Sequence, residues 1–104
     1  MKRGDVFHIG PLDSQGHTQR GPRFGIIVQT NALLKLSTVI VAPTSKSAQS
    51  ASFRPRVVVE KEHTHVLVDQ LTALDVSRLG KQVHSLTLEE LWAVDDAIRT
   101  MLAV

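Results

Sequence analysis

The sequence predicts a mainly β fold of the α+β class: a small, strongly curled sheet or barrel carrying one C-terminal helix. Three observations lead there. The stretches 26–28, 39–42, 57–59 and 66–68 are apolar on consecutive positions, so these strands require cover on both faces. Only the segment from residue 88 onward repeats its apolar residues at helical spacing behind a defined start. Finally, 104 residues with one long helix cannot layer helices over both faces of a flat sheet, so the sheet must curl on itself or bury part of its surface against a second copy. The same length predicts a single domain over residues 1–104.

Taken in order, Asp5 to Ile9 reads as the first strand, with His8 on the face opposite Phe7 and Ile9. Residues 10–22 form a polar loop, long for so small a domain. It feeds a second strand from Arg23 to about Gln29. Thr30–Lys35 suggests one helical turn. Thr38–Ala42 is β-branched and extended, ending at Pro43-Thr44-Ser45-Lys46. Residues 47–52 are small and polar, a loop, and Phe53-Arg54-Pro55-Arg56, with both arginines expected at the surface, leads into Val57-Val58-Val59-Glu60. Residues 61–64 read as a turn carrying His63, and 66–70 as a further strand that continues extended through Leu74. Asp75 to Gly80 reads as a short helical turn with Asp75 as its N-cap and Gly80 as its terminator, and 81–84 as a last strand.

The helix has the clearest signature. Thr87 and Glu90 have the spacing of a capping box, and Leu86 and Leu91 that of a hydrophobic staple. It should start at Leu88, bury Leu91, Val94, Ile98 and Met101 on one face with Trp92 in the core, and leave Asp95 and Asp96 in solvent.

Composition removes several classes of chemistry. With no cysteine there is no disulfide framework, thiolate metal site or thiol nucleophile. No apolar run approaches the roughly 18 residues of a membrane span, and no signal-type apolar core follows Met1, so the expected location is cytoplasmic, away from the membrane. Dinucleotide-binding, Walker, zincin and nucleophile-elbow motifs are missing. His63 and His65 are the one candidate metal pair, without an evident third ligand.

Charge is uneven along the chain. Residues 1–56 hold eight Lys/Arg against two Asp/Glu, and residues 57–104 hold four against eight. A basic first half suits a polyanion. Within it, His17, Gln19, Arg20 and Arg23 cluster in a loop with two glycines and a proline, a set of cations and hydrogen-bond donors suited to an anion.

Arg3-Gly4-Asp5-Val6-Phe7, then Gly16-His17-x-Gln19-x-Gly21-x-Arg23 before an apolar strand, Thr38–Ser45, Val66-Leu67-Val68-Asp69-Gln70, and Asp75 with Arg78-Leu79-Gly80 before a capped helix resemble the MazF/PemK family of toxin endoribonucleases, which includes Kid. The resemblance covers nearly the whole chain in the same order. It implies an SH3-like barrel of the CcdB/PemK type with a C-terminal helix. It also implies a homodimer that cuts single-stranded mRNA independently of the ribosome, needs no cofactor or metal, and is silenced by a cognate antitoxin. Carried over position by position, it implies a catalytic pair of Arg23 and Thr44, with His17 and Asp69 as further catalytic candidates. Arg3, Gln19, Arg20, Ser45, Phe53, Arg54 and Gln70 are the expected RNA contacts, through phosphate pairing, base-edge hydrogen bonds and stacking.

The chain also departs from that pattern. The family's Arg-Pro is Arg23-Phe24, its Pro-x-Thr-Ser is Pro43-Thr44-Ser45, an arginine used in Kid two residues before the Asp is Leu67, and Gln-x-Arg-Thr is Gln70-Leu71-Thr72-Ala73. Two alternatives therefore stand beside the nuclease. One is a non-catalytic, gyrase-binding toxin like CcdB, although the chain lacks that toxin's Trp-Gly-Ile ending. The other is an inactive member that binds only RNA or antitoxin.

Overall fold

The computed structural model describes residues 1–10 and 23–104. Seven strands, β1 (Asp5–Ile9), β2 (Arg23–Ile27), β3 (Thr38–Ser45), β4 (Arg56–Val59), β5 (Glu62–Val66), β6 (Thr72–Asp75) and β7 (Leu79–Ser85), precede one helix, α1 (Leu88–Leu102). The sheet runs β4-β5-β3-β2-β1-β7, with β6 on β3 off that path, and its pairings are antiparallel. This is the curled, mainly β sheet with a C-terminal helix that the sequence predicts.

The curl centres on β3, which changes partners along its length. Thr38 to Val41 pair with β6, whereas Thr44 and Ser45 pair with Val66 and His65 of β5. Wrapped this way, the sheet has two cores. Val6, Phe24, Ile26, Ala42, Val57, Val59 and Val66 pack with Val94 and Ala97 of α1 on one side. Ile9, Ile27, Val39, Val41 and Leu74 pack on the other. Neighbours such as Ile26 and Ile27 are thus both fully buried, each stabilising the fold by about 1.5–3 kcal/mol. The two-faced burial holds at 26–28 and 66–68 but fails at Ile40 and Val58, which are exposed.

The helix starts at Leu88 behind the full capping box. The Thr87 hydroxyl accepts from the Glu90 amide at 3.1 Å and Glu90 Oε1 accepts from the Thr87 amide at 2.9 Å. The second Glu90 oxygen accepts from the Val58 amide of the edge strand β4 at 2.8 Å, so one carboxylate both caps the helix and ties it to the sheet. Burial lifts the Glu90 pKa, but hydrogen bonds from the Thr87 and Val58 amides outweigh it and leave the carboxyl below its ordinary value.

Several expectations need correction. The β4–β5 turn is Glu60-Lys61 alone, both at positive φ (51° and 66°), the left-handed pair that matches strand twist in a two-residue hairpin. His63, Thr64 and His65 are therefore on a strand, and the predicted strand 66–70 is instead the end of β5 followed by a 3₁₀ turn, Val68–Gln70. Gly80 terminates nothing: the turn Val76–Arg78 is capped by Asp75 as expected, but Gly80 lies in β7, where a Cβ would stand 3.2 Å from the His8 Cβ and carbonyl oxygen. Trp92 is 56 % exposed, and Ala97 takes the buried place on the helix that the reading gave to bulkier residues. Arg54 and Asp95 are half-buried in ion pairs, not solvated.

Candidate active site

β1 and β2 pair with Ile9 opposite Arg23, so Arg23 stands at the end of the sheet where β1 finishes and β2 begins. The β2–β3 pairing runs from Ile27↔Val41 to Gly25↔Pro43. No β2–β3 pair follows it, while on its other edge β3 pairs Thr44 and Ser45 with β5. Arg23 and Thr44 therefore stand at neighbouring strand ends past the last β2–β3 pair, and a gap lined by Phe24, Lys46, Val59, Glu60 and Glu62 separates β2 from the β4–β5 hairpin. Alternation sets Arg23 on the face opposite Phe24, which is buried in the core beneath that hairpin. Arg23 is partly exposed, Thr44 only 5 %.

Asp69 and Gln70 arrive through the 3₁₀ turn after β5, anchored by the Leu67 amide donating to the Pro43 carbonyl at 2.8 Å. Arg54, from the segment before β4, grips Asp69 with two donors, Nε to Oδ1 at 3.1 Å and Nη2 to Oδ2 at 2.9 Å. It donates a third bond to the Gln49 carbonyl. The hydrogen bonds from Arg54 hold the Asp69 carboxyl below its ordinary pKa, and the same bonds raise the Arg54 guanidinium. A carboxylate gripped in this way is a weaker proton acceptor, which suits Asp69 to positioning. The Phe53 ring lies 5.4 Å from the Arg54 guanidinium carbon. Ser45 faces His65 across the β3–β5 ladder and contacts Ser47, while His65 Nε2 is 3.2 Å from the Ser50 hydroxyl.

Thr44, Ser45, Phe53, Arg54, Asp69 and Gln70 thus gather around the end of β3, with Arg23 on the adjoining strand. Arg3 does not join them. It sits at the far end of β1, where its Nε donates to the Val28 carbonyl at 2.7 Å and its Nη1 pairs with Asp95 of α1 at 2.6 Å. His17, Gln19 and Arg20 lie outside the described residues. Sequence reasoning missed Lys46, Glu60 and Glu62. Lys46 and Glu62 form an ion pair on the β3–β5 side of the gap, and placing the turn at 61–64 hid Glu62's position on β5. Among the described residues no three His, Asp or Glu converge as metal ligands, and no helix is long and apolar enough to cross a membrane.

With this geometry in view, comparison with known proteins is specific. Residues 2–102 match the family model described as PemK-like, MazF-like toxin of type II toxin-antitoxin system. A Mycobacterium tuberculosis protein that carries the name "putative toxin" is 34 % identical over 104 residues, covering 98 % of this chain and 97 % of that one. Among solved structures, MazF from Deinococcus radiodurans superposes with a TM-score of 0.83 at 20 % identity, covering 100 % of this chain and 97 % of that one. An endoribonuclease in complex with its cognate antitoxin from a mycobacterial species gives 0.82 at 18 %, covering 100 % and 96 %. Both structural likenesses establish the fold. The family match over nearly the full length, in a chain that folds as those toxins do, establishes the rest: this protein belongs to the MazF/PemK-like toxins of type II toxin–antitoxin systems.

Proposed function

We propose that the chain is a sequence-selective endoribonuclease that cuts single-stranded mRNA by attack of the ribose 2′-hydroxyl on the adjacent phosphodiester, without a metal. The observation that supports this reading is that Arg23 and Thr44 stand at neighbouring strand ends, just past the last β2–β3 pair, Gly25↔Pro43. Such a cleavage needs charge stabilisation on the five-coordinate phosphorus, a base for the hydroxyl and a proton for the leaving oxygen. Arg23 supplies paired donors to the non-bridging oxygens and Thr44 a hydrogen bond at the mouth. Arg54 and Asp69 brace the rim. His17 is the candidate proton acceptor, since Asp69 is held by Arg54.

The partners follow the same reading. A second copy of the chain covers apolar surface left open, including Ile40 and Trp92. A cognate antitoxin, acidic and partly apolar, competes with RNA for the surface around Arg23, since the basic first half of the chain attracts both, and the pair works in the cytoplasm. The CcdB-like and inactive alternatives predict no cleavage.

The test is an RNA digestion with purified protein in excess chelator. The upstream fragment should carry a 2′,3′-cyclic phosphate and the downstream one a free 5′-hydroxyl, and a single 2′-deoxy nucleotide 5′ of the cut should block it. Arg23→Ala should reduce the rate by about 10²–10³ while the circular dichroism spectrum is unchanged; Thr44→Ala should cost less. Continued cutting of the deoxy substrate, or arrest by chelator, would remove this mechanism.

A further inference from the structure

We infer that the gap between β2 and the β4–β5 hairpin is a nucleobase pocket that selects guanine; the assignment rests on the ribonuclease reading and names the base it prefers. The gap holds a cavity of about 280 Å³ lined by Phe24, Lys46, Val59, Glu60 and Glu62. That lies just below the roughly 300–1,000 Å³ range of small-molecule sites, a size for one base and not for a larger ligand. Phe24 and Val59 are 7 % and 2 % exposed. They give the cavity an apolar wall, and His8 backs the Phe24 ring with centroids 4.9 Å apart. So little of either side chain reaches the cavity that the two form only its dry wall, and recognition falls to the polar side.

The polar side is the discriminating one. Lys46 and Glu62 form an ion pair, with side chains 60 % and 57 % exposed, so an ammonium and a carboxylate stand next to each other at the mouth with Glu60 beside them. Guanine is the base whose edge carries an acceptor, O6, directly next to two N–H donors, N1 and N2. A carboxylate accepts those two donors in parallel while an ammonium donates to O6. Adenine and cytosine offer one amino donor beside a bare ring nitrogen, which would face a carboxylate oxygen lone pair to lone pair. Uracil offers a single N–H between two carbonyls. A further observation comes from behind the pocket: Thr64, the next residue on the Glu62 face of β5, is 3 % exposed and its hydroxyl has no hydrogen-bond partner. Polar capacity is thus left unused at a wall that packing alone would have made apolar.

The pocket borders the candidate site in sequence, since Phe24 follows Arg23 and Lys46 follows Thr44-Ser45. Alternation turns Arg23 to the face of β2 opposite Phe24, so a base seated here is read apart from the phosphate that Arg23 holds.

The test separates binding from cleavage. Fluorescence anisotropy is measured with uncleavable 2′-deoxy pyrimidine tracts carrying a single guanine, adenine or hypoxanthine. The guanine tract should bind about 10- to 100-fold more tightly than the adenine tract. Hypoxanthine, which lacks the N2 amino group, should lose most of that preference, and Glu62→Gln should bring the guanine-to-adenine ratio to about one. Equal binding of guanine and adenine, or a guanine preference that survives Glu62→Gln, would overturn the assignment. Cut-site mapping on a long RNA then runs in parallel. Cuts that cluster at guanine in the wild type and scatter in Glu62→Gln support both readings. A Glu62-dependent guanine preference in a protein that cuts nothing keeps the pocket and removes the nuclease, whereas cutting that ignores Glu62 removes the pocket and keeps the nuclease.

Discussion

Two arginine–carboxylate pairs of nearly equal exposure do different work in this fold. Arg3 pairs with Asp95, with side chains 25 % and 22 % exposed, and Arg54 with Asp69 at 22 % and 23 %. The Arg3 pair joins the N-terminus, the end of β2 through the Val28 carbonyl and the helix through Asp95, three elements far apart in sequence that the core must bring together. The Arg54 pair joins two loops beside the end of β3 and leaves both cores untouched. The same chemistry therefore closes the fold at one end of the sheet and frames the candidate site at the other, and what decides between the roles is which elements the pair connects.

The sharpest break in that comparison is Arg3→Ala. It removes the ion pair to Asp95 and leaves the Val28 carbonyl without its charged donor, which should cost about 1–3 kcal/mol, read as an earlier urea midpoint at unchanged slope. RNA cleavage per folded molecule should stay near wild type. A fall in specific activity without loss of stability would put Arg3 back among the RNA contacts that the sequence suggested.

Arg54→Ala should show the converse, a loss of about tenfold in cleavage with a smaller loss of stability than Arg3→Ala, since its pair is equally buried but joins two loops and leaves both cores untouched. If Asp69 works only through the position that Arg54 gives it, the Arg54→Ala/Asp69→Asn double variant should be no slower than the worse single variant. Losses that multiply would show that Asp69 acts on the substrate independently.

The fold was more legible than the site. Strand periodicity and the capping box at Thr87 and Glu90 are local signals, and the local geometry obeys them. The β4–β5 turn was not legible, because Glu60-Lys61 carries none of the Asn or Gly that left-handed positions favour, and the error displaced His63, His65 and Glu62. Trp92 failed for a different reason. Helical spacing identifies an apolar residue but not which side of the helix meets the sheet, and small Ala97 lets α1 approach there instead. The site's charges were visible as residue types, yet their pairings lie 15 and 16 positions apart in sequence, beyond any local pattern.

The smallest expected effect concerns the carboxylate that links helix and sheet. Glu90 accepts from the Thr87 and Val58 amides, and its pKa in the folded chain lies below the ordinary value. Folding therefore favours the charged form. The associated stability is fully present above the unfolded pKa of roughly 4.3 and is lost as pH falls through the lower folded value. Glu90→Gln cannot present two equivalent acceptor oxygens, so one of the two amides loses its partner, at a cost of about 0.5–1.5 kcal/mol at pH 7. The difference between wild type and variant, measured by urea unfolding, should narrow as the pH is lowered from 7 toward 3, because protonated Glu90 is also a single good acceptor. Asp69, depressed by Arg54, titrates in the same direction in both proteins and drops out of that difference. A gap between the two proteins that stays constant across this range would mean that Glu90 contributes through packing and not through its charge.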